Sequence, residues 1–311
     1  MIVTENYFYA QSGEKLFEIA KFYGNKKAAI SYTFDDGLEE HFTLIYPKFE
    51  ELGFKGTFWI NGNTINEGEI GQQKEKPRIS WNELKTMANS GHEISNHGWS
   101  HKNLSKIPLD EVWHEITAND SIIQAKIGEK PETFCYAFNS KNDTIIKMAS
   151  LGRVGTRTRQ ISMGHKSTSE KLKSMIEKII ENGEWKVAMI HGITYGYDAF
   201  TDANIFWNHL EMIKNMEDKI WVAAFRDVAA YIQEQKNTQL NIITNKQEWI
   251  ITPKNNLDKN LFTHSLTMIV NRENIKKIKV KQDGKNIPVY FVKNKALFDF
   301  NPYNKIIVRI I

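Results

Sequence analysis

Several features that would narrow the class of a protein are scarce in this chain of 311 residues. It has one cysteine, Cys135, which excludes an intramolecular disulfide and leaves the redox compartment open. No run of about 18 apolar residues occurs, so we expect no transmembrane helix. The net charge of +4 is modest and spread over many acidic and basic residues, which argues against nucleic-acid binding and only weakly favours an anionic partner.

The segment Met1-Ile2-Val3-Thr4-Glu5-Asn6 lacks the basic start and the apolar core of a signal peptide. A cytoplasmic location therefore stays open. No internal repeat or low-complexity segment is present. The length allows a full α/β core and a small additional domain, and the oligomeric state is not indicated.

Strand and helix patterns alternate between about residues 27 and 235. Candidate strands lie at residues 28–34, 55–60, 92–95, 133–137, 154–157, 186–190 and 220–224. Amphipathic helices are expected between them, at residues 39–52, 81–90, 109–126, 143–151, 169–181, 203–216 and 228–235. This alternation predicts a parallel sheet with crossover helices, an α/β fold whose active residues lie at the carboxyl ends of the strands.

The pattern changes after Gln235. Lys236-Asn237-Thr238 is a polar break, and short runs with a period of two follow it. Asp283-Gly284 is a hairpin signal between two of these runs. We therefore divide the chain into a barrel at residues 1–236 and a small antiparallel β-sandwich-like domain at 237–311. That second domain is either a structural module or a carbohydrate-binding one, and the lack of a clear cluster of exposed aromatic residues favours the structural role.

Two adjacent aspartates, Asp35 and Asp36, follow the first apolar strand. Side chains alternate along a strand, so two consecutive aspartates can face different partners. Two neighbouring carboxylates also repel each other unless a cation lies close by. His97 and His101 follow the strand at 92–95, and Gly98 between them argues against a helix. Two imidazoles and one carboxylate leave a coordination position open, which is typical of a catalytic zinc site.

At these residues the chain resembles the polysaccharide deacetylases, the carbohydrate esterases that share the NodB homology domain. Its first two motifs match at Thr33-Phe34-Asp35-Asp36-Gly37 and His97-Gly98-Trp99-Ser100-His101, and Met189-Ile190-His191-Gly192 matches the later leucine-x-histidine motif. The resemblance covers about residues 25 to 235. It implies a distorted seven-stranded (β/α) barrel, to which the small carboxyl-terminal antiparallel β domain would be added.

The resemblance also implies a role for each matched residue. Asp35 would be the general base, and Asp36, His97 and His101 would bind one divalent metal ion. Zinc is the expected ion, with cobalt, nickel and manganese as alternatives. His191 would be the general acid, and an acid that titrates near neutral pH suits the proton transfer to a departing amine or alkoxide. Family members usually act outside the cytoplasm, which implies an extracellular or periplasmic location.

The family pattern breaks at its third and fourth motifs. Cys135 stands where the third motif has an arginine, and Ala137 stands where it has a proline. The aspartate-aromatic pair of the fourth motif is not visible. Arg157, on a neighbouring strand, either replaces the missing arginine beside Asp35 or is a surface residue. Cys135 is expected to be a buried thiol.

Three aromatic residues are candidates for contact with the substrate. Tyr195 and Tyr197 lie in the loop after His191, where their rings could stack on a sugar or pack as a lid, and Phe138 lies in the third-motif stretch. The function predicted from the sequence is metal-dependent hydrolysis of N- or O-linked acetyl groups on an acetylated polysaccharide or oligosaccharide. The alternatives are an impaired deacetylase-like domain that only binds carbohydrate, and a hydrolase of a small cyclic amide.

Overall fold

The structure, a computed structural model, describes residues 15–65, 76–245, 248–271, 277–292 and 295–311. The chain folds into two compact units. One unit is Ala28–Ala229, and the other combines Met1–Lys27 with Ala230–Ile311. The division at residues 236 and 237 stays a prediction, and the signal-peptide assessment of residues 1–6 falls outside the described residues.

Strands are numbered in chain order within the described residues. They are β1 Phe17–Ile19, β2 Ala28–Asp35, β3 Thr57–Ile60, β4 Glu93–Asn96, β5 Thr133–Cys135, β6 Gly155–Arg157, β7 Ile161–Ser162, β8 Trp185–Ile190, β9 Ile220–Val222, β10 Gln239–Asn245, β11 Glu248–Lys254, β12 Leu266–Val270, β13 Ile278–Gln282, β14 Lys285–Ile287, β15 Tyr290–Val292, β16 Lys295–Phe300 and β17 Ile306–Ile310.

The α-helices in the same residues are α1 Tyr46–Leu52, α2 Trp81–Asn89, α3 Leu109–Ile127, α4 Asp143–Ser150, α5 Ser169–Asn182, α6 Ala203–Lys214 and α7 Phe225–Asn237. A π-helical turn at His41–Ile45 precedes α1, so the first predicted helix is divided in two. A capping box begins α2, because the Ser80 hydroxyl accepts from the Glu83 amide at 3.3 Å and the Glu83 carboxylate accepts from the Ser80 amide at 2.7 Å.

Parallel strands form the sheet of the first unit, in the order β6-β5-β4-β3-β2-β8-β7, with β9 paired to the start of β2. Seven of these strands correspond to the seven predicted from the sequence, and the two-residue β7 is additional. Every residue of β2 is buried, as expected for a strand covered on both faces. The predicted distorted (β/α) barrel with a small antiparallel β domain is confirmed.

The second unit contains two antiparallel sheets, in the orders β1-β12-β16-β15 and β10-β11-β17-β13-β14. Asp283 and Gly284 have φ values of 52° and 77° and join β13 to β14, which confirms the predicted turn. The next run with a period of two in the sequence, at residues 289–292, is not the strand that this turn joins to β13. That run instead forms β15, which pairs with β16 in the other sheet and exposes the rings of Tyr290 and Phe291.

No helix in the described ranges is long and apolar enough to cross a membrane.

Candidate active site

The two aspartates lie at the carboxyl end of β2 and face different partners. Asp35 is the last residue of the strand and is buried. Asp36 follows it with a left-handed φ of 76°, and its amide donates to the Trp59 carbonyl at 3.1 Å. A non-glycine residue in this conformation is uncommon and is often found at functional sites. The turn directs the second carboxylate toward the loop after β4.

Asp36, His97 and His101 form a group of ligand atoms that all lie within 4.8 Å of one another. The Asp36 Oδ1 atom is 3.5 Å from His97 Nε2 and 3.3 Å from His101 Nε2. Burial opposes ionisation of Asp36, but the rings of His101 and His97 outweigh it and hold the pKa of this carboxyl well below its usual range. The Asp36 Oδ1 atom is buried and has no hydrogen-bond partner among the described residues.

His97 is held in the tautomer that a metal ligand needs. Its Nδ1 atom donates to the Cys135 carbonyl at 3.1 Å, so Nε2, on the side of Asp36, is the nitrogen that a metal ion could use. The Asn61 side-chain amide fixes the same loop by donating to the carbonyls of His97 at 2.8 Å and Gly98 at 2.9 Å. The orphaned carboxylate oxygen and the two directed imidazoles fit one divalent cation.

Asp35 is paired with Arg157 inside the barrel. The Arg157 Nη1 atom donates to Asp35 Oδ1 at 2.8 Å, and Nη2 donates to Oδ2. Arg157 is 2% exposed and Asp35 is 1% exposed, so this bidentate pair is almost fully buried. Burial raises the pKa of Asp35, but the Arg157 charge and those of nearby histidines outweigh it, so the carboxyl is held ionised.

Arg157 is itself held by two further contacts. Its Nη1 atom donates to the Thr33 hydroxyl at 2.9 Å, and its guanidinium carbon lies 4.6 Å from the centre of the Trp59 ring. Cys135, at the position of the family arginine, is a buried thiol whose sulfur is 3.9 Å from Asp35 Oδ2. Arg157 therefore occupies the space beside Asp35 from the neighbouring strand β6.

Asp35, His97 and Cys135 form a second group with ligand-like spacing. Both oxygens of Asp35 already accept from Arg157. A guanidinium in contact with the carboxylate repels any cation placed there. The group around Asp36 is therefore the candidate metal centre.

His191 follows β8 and reaches the same edge of the sheet. Its Nε2 atom is 3.9 Å from Asp35 Oδ2. Its Nδ1 atom is buried and has no hydrogen-bond partner in the part of the chain that the structure describes. The backbone carbonyl of His191 accepts from His41 Nε2 at 2.7 Å, which anchors the main chain of this residue.

Two of the three candidate substrate contacts flank this group of side chains. Phe138 is 65% exposed, and its ring centre is 4.6 Å from that of His101. Tyr197 is 71% exposed, and its ring centre is 5.0 Å from that of His191. The third candidate, Tyr195, makes its hydrogen bonds within the protein. Its hydroxyl donates to the Pro77 carbonyl at 3.2 Å and accepts from the Glu40 amide at 3.4 Å, so it is engaged with the protein itself.

Sequence reasoning missed Glu40, a buried carboxylate beside the site. Its hydrogen-bond partners are on the loop after His191, more than 150 positions further along the chain than Glu40. The only local signal was an acidic pair before an apolar run, which is common in the solvated first turn of a helix. Trp59 and Thr33 were missed for a similar reason, since both read as ordinary residues of a buried strand.

Comparisons with known proteins agree with the motifs. Residues 23–154 match the family model described as polysaccharide deacetylase. A peptidoglycan-N-acetylglucosamine deacetylase of Bacillus cereus is 34% identical over 131 residues, which are 42% of this chain and 39% of that protein. Chitin deacetylase 1 of Cryptococcus neoformans is 26% identical over 118 residues, which are 38% of this chain and 23% of that protein. The chain thus matches about two fifths or less of the length of these relatives.

The fold is also found among solved structures. A Mycobacterium smegmatis structure named as a polysaccharide deacetylase superposes with a TM-score of 0.53 at 16% sequence identity, covering 73% of this chain and 98% of that one. At this identity the likeness concerns the fold alone.

Proposed function

We propose that this chain, whose residues 23–154 match the polysaccharide deacetylase family model, is a hydrolase that removes acetyl groups from an acetylated polysaccharide or oligosaccharide. One observation carries the proposal. The cluster of Asp36, His97 and His101 lies directly beside an ionised, buried Asp35. This combines a place for a cation with a separate proton acceptor. The relatives that act on peptidoglycan N-acetylglucosamine and on chitin support an acetylated sugar as the substrate.

Asp36, His97 and His101 would hold one divalent metal ion. Two imidazole nitrogens and one carboxylate oxygen suit zinc, and three protein ligands leave room for water and substrate. Cobalt, nickel and manganese also accept nitrogen and oxygen ligands. When bound, the ion would polarise the acetyl carbonyl and lower the pKa of a bound water.

Asp35 would act as the general base in this account. The bidentate pair with Arg157 keeps its carboxylate ionised and fixes the direction of its oxygens. It would accept the proton of the attacking water, and the oxygen of that water would bond to the acetyl carbon. His191, whose Nε2 atom lies 3.9 Å from Asp35 Oδ2, would donate a proton to the leaving nitrogen or oxygen. The products are acetate and a free amine or hydroxyl group.

Phe138 and Tyr197 would contact the sugar rings. Both side chains are more than half exposed and flank the histidines from different loops. Aromatic faces stack well on the apolar faces of sugars. A wall or extracellular polymer as substrate would place the protein outside the cytoplasm, in line with the names of the relatives.

Acetate release across a substrate panel tests this function. The panel contains acetylated chitooligosaccharides, peptidoglycan fragments, acetylxylan and a small cyclic amide, each with and without added zinc. We expect zinc-dependent release from at least one acetylated carbohydrate, and none from the Asp35→Asn variant. Tight carbohydrate binding by the zinc-loaded wild type without acetate release would instead favour the binding-only alternative.

A further inference from the structure

Glu40 is a buried acid that the proposed reaction does not use. It is 2% exposed, and it makes no ion pair among the described residues. Its Oε1 atom accepts from the Ile193 amide, and its Oε2 atom accepts from the Thr194 amide at 3.0 Å and the Thr194 hydroxyl at 2.9 Å. A buried carboxylate is costly unless it is fully hydrogen-bonded. Glu40 therefore serves as a fixed acceptor for the loop that follows His191.

His41 holds the same loop one residue earlier. Its ring is buried, and burial lowers its pKa to about 4, so it is neutral at physiological pH. The Nε2–H group donates to the His191 carbonyl at 2.7 Å. Adjacent residues at the start of the π-helical turn thus bind the backbone on both sides of Gly192.

Gly192 shows how tightly this loop is folded. A Cβ atom at this position would lie 1.6 Å from the Tyr195 carbonyl oxygen, so only glycine fits the turn. The Nδ1 atom of His191 has no side-chain partner among the described residues. Hydrogen bonds to the backbone around His191, rather than a hydrogen bond to its Nδ1 atom, therefore hold this residue in place.

We infer that Glu40 is a positioning residue for His191, and that it acts by holding Ile193 and Thr194. The inference rests on the proposed function, in which His191 protonates the leaving group. The Glu40 carboxylate does not touch substrate in this account. It supplies the hydrogen bonds that keep the imidazole aimed at the leaving atom, and a displacement of about 1 Å can cost roughly a hundred-fold in rate.

The chemistry of the leaving group makes this role measurable. An amine leaves only after it is protonated, so hydrolysis of an acetylated amino sugar depends on His191. The 4-nitrophenolate of 4-nitrophenyl acetate leaves as a stable anion and needs no proton. A variant with a misplaced acid therefore loses activity on the amide and keeps it on the activated ester. Loss of the metal, of Asp35 or of the fold reduces both activities together.

The experiment compares kcat/KM for an N-acetylglucosamine oligomer and for 4-nitrophenyl acetate in the zinc-loaded protein. Glu40→Gln keeps the size of the side chain but turns an NH₂ group toward the loop amides, and Thr194→Val removes one hydrogen bond to Glu40. Glu39→Gln, which removes the same charge one residue earlier, is the matched control. Zinc content and thermal unfolding are measured for each variant.

We expect Glu40→Gln to lose about ten- to a hundred-fold on the amide and less than about three-fold on the ester. Thr194→Val should show the same selectivity with a smaller loss, and it decides the question if Glu40→Gln does not fold. Glu39→Gln should keep the wild-type ratio. An equal loss of kcat/KM on both substrates, or no loss on either, would contradict the role of Glu40 but not the proposed function. A zinc-loaded wild type that releases no acetate contradicts the proposed function and the inference with it.

Discussion

Replacing Arg157 with alanine is the perturbation that bears most directly on the departure from the family pattern. The change removes both hydrogen bonds to Asp35 and leaves that carboxylate buried without its cation. A hydrogen bond to a charged group is worth about 1.5–3 kcal/mol. If that energy aligns the base in the transition state, turnover should fall roughly ten- to a hundred-fold.

The same substitution destabilises the fold, so the two effects must be separated. Breaking a buried ion pair costs about 3–5 kcal/mol of unfolding free energy. Arg153→Ala is a matched control, because Arg153 is also buried, pairs with Asp120 at 2.6 and 2.5 Å, and lies 5.6 Å from the centre of the Phe134 ring. Arg153 lies outside the candidate site. We expect similar losses of stability in both variants, and a loss of turnover only in Arg157→Ala.

The assay is acetate release per zinc-loaded protein at a temperature where circular dichroism shows both variants folded. Turnover by Arg157→Ala within about three-fold of wild type would refute the reasoning, as would an equal loss in Arg153→Ala. A second arm adds Cys135→Arg to Arg157→Ala. The Cys135 sulfur is 3.9 Å from Asp35 Oδ2, so an arginine there can reach the same carboxylate and should restore part of the turnover.

Two further outcomes follow from the structure. Asp35→Asn should abolish acetate release while zinc content stays near wild type, whereas Asp36→Ala should lose both; parallel loss of zinc would show that the two roles are wrongly assigned. Burial raises the pKa of Glu234 from 4.5 to about 7, so its protonated form stabilises the fold below pH 4.5 and that contribution is lost as the pH rises through 7. The free energy of unfolding of the wild type should therefore fall by about 2 kcal/mol between pH 5 and pH 8, relative to that of Glu234→Gln. The same pH dependence of unfolding in both proteins would contradict this.

The barrel could be predicted because its strands carry their own signal. Most of them lie within short apolar segments, and β2 is buried along its whole length, so hydrophobicity alone identified β2. β10 was missed because it contains Gln239 and Asn241, and its strand conformation comes from antiparallel pairing with β11. β1 was missed because it is an edge strand whose conformation comes from pairing with β12, and β7 was missed because it has only two residues.

The site was predictable where its residues are close in the chain. The matches around Asp35 and His97 identify the candidate ligands and base within two short segments. For Arg157 the sequence left two alternatives open, a partner of Asp35 or a surface residue. The reason is that Arg157 is 122 positions away from Asp35 and the third-motif arginine is missing. The contacts of Glu40 and Trp59 also depend on how distant strand ends meet, which no local pattern encodes.

Acetate release as a function of added zinc is the most direct test of the central claim. Metal-free protein is titrated with zinc in the presence of the best substrate of the panel, and His101→Ala is measured beside it. The account predicts a rate that rises to a plateau at one equivalent of zinc, with the plateau lost in His101→Ala. Full activity in the metal-free protein, or no acetate release with one zinc bound, would contradict it.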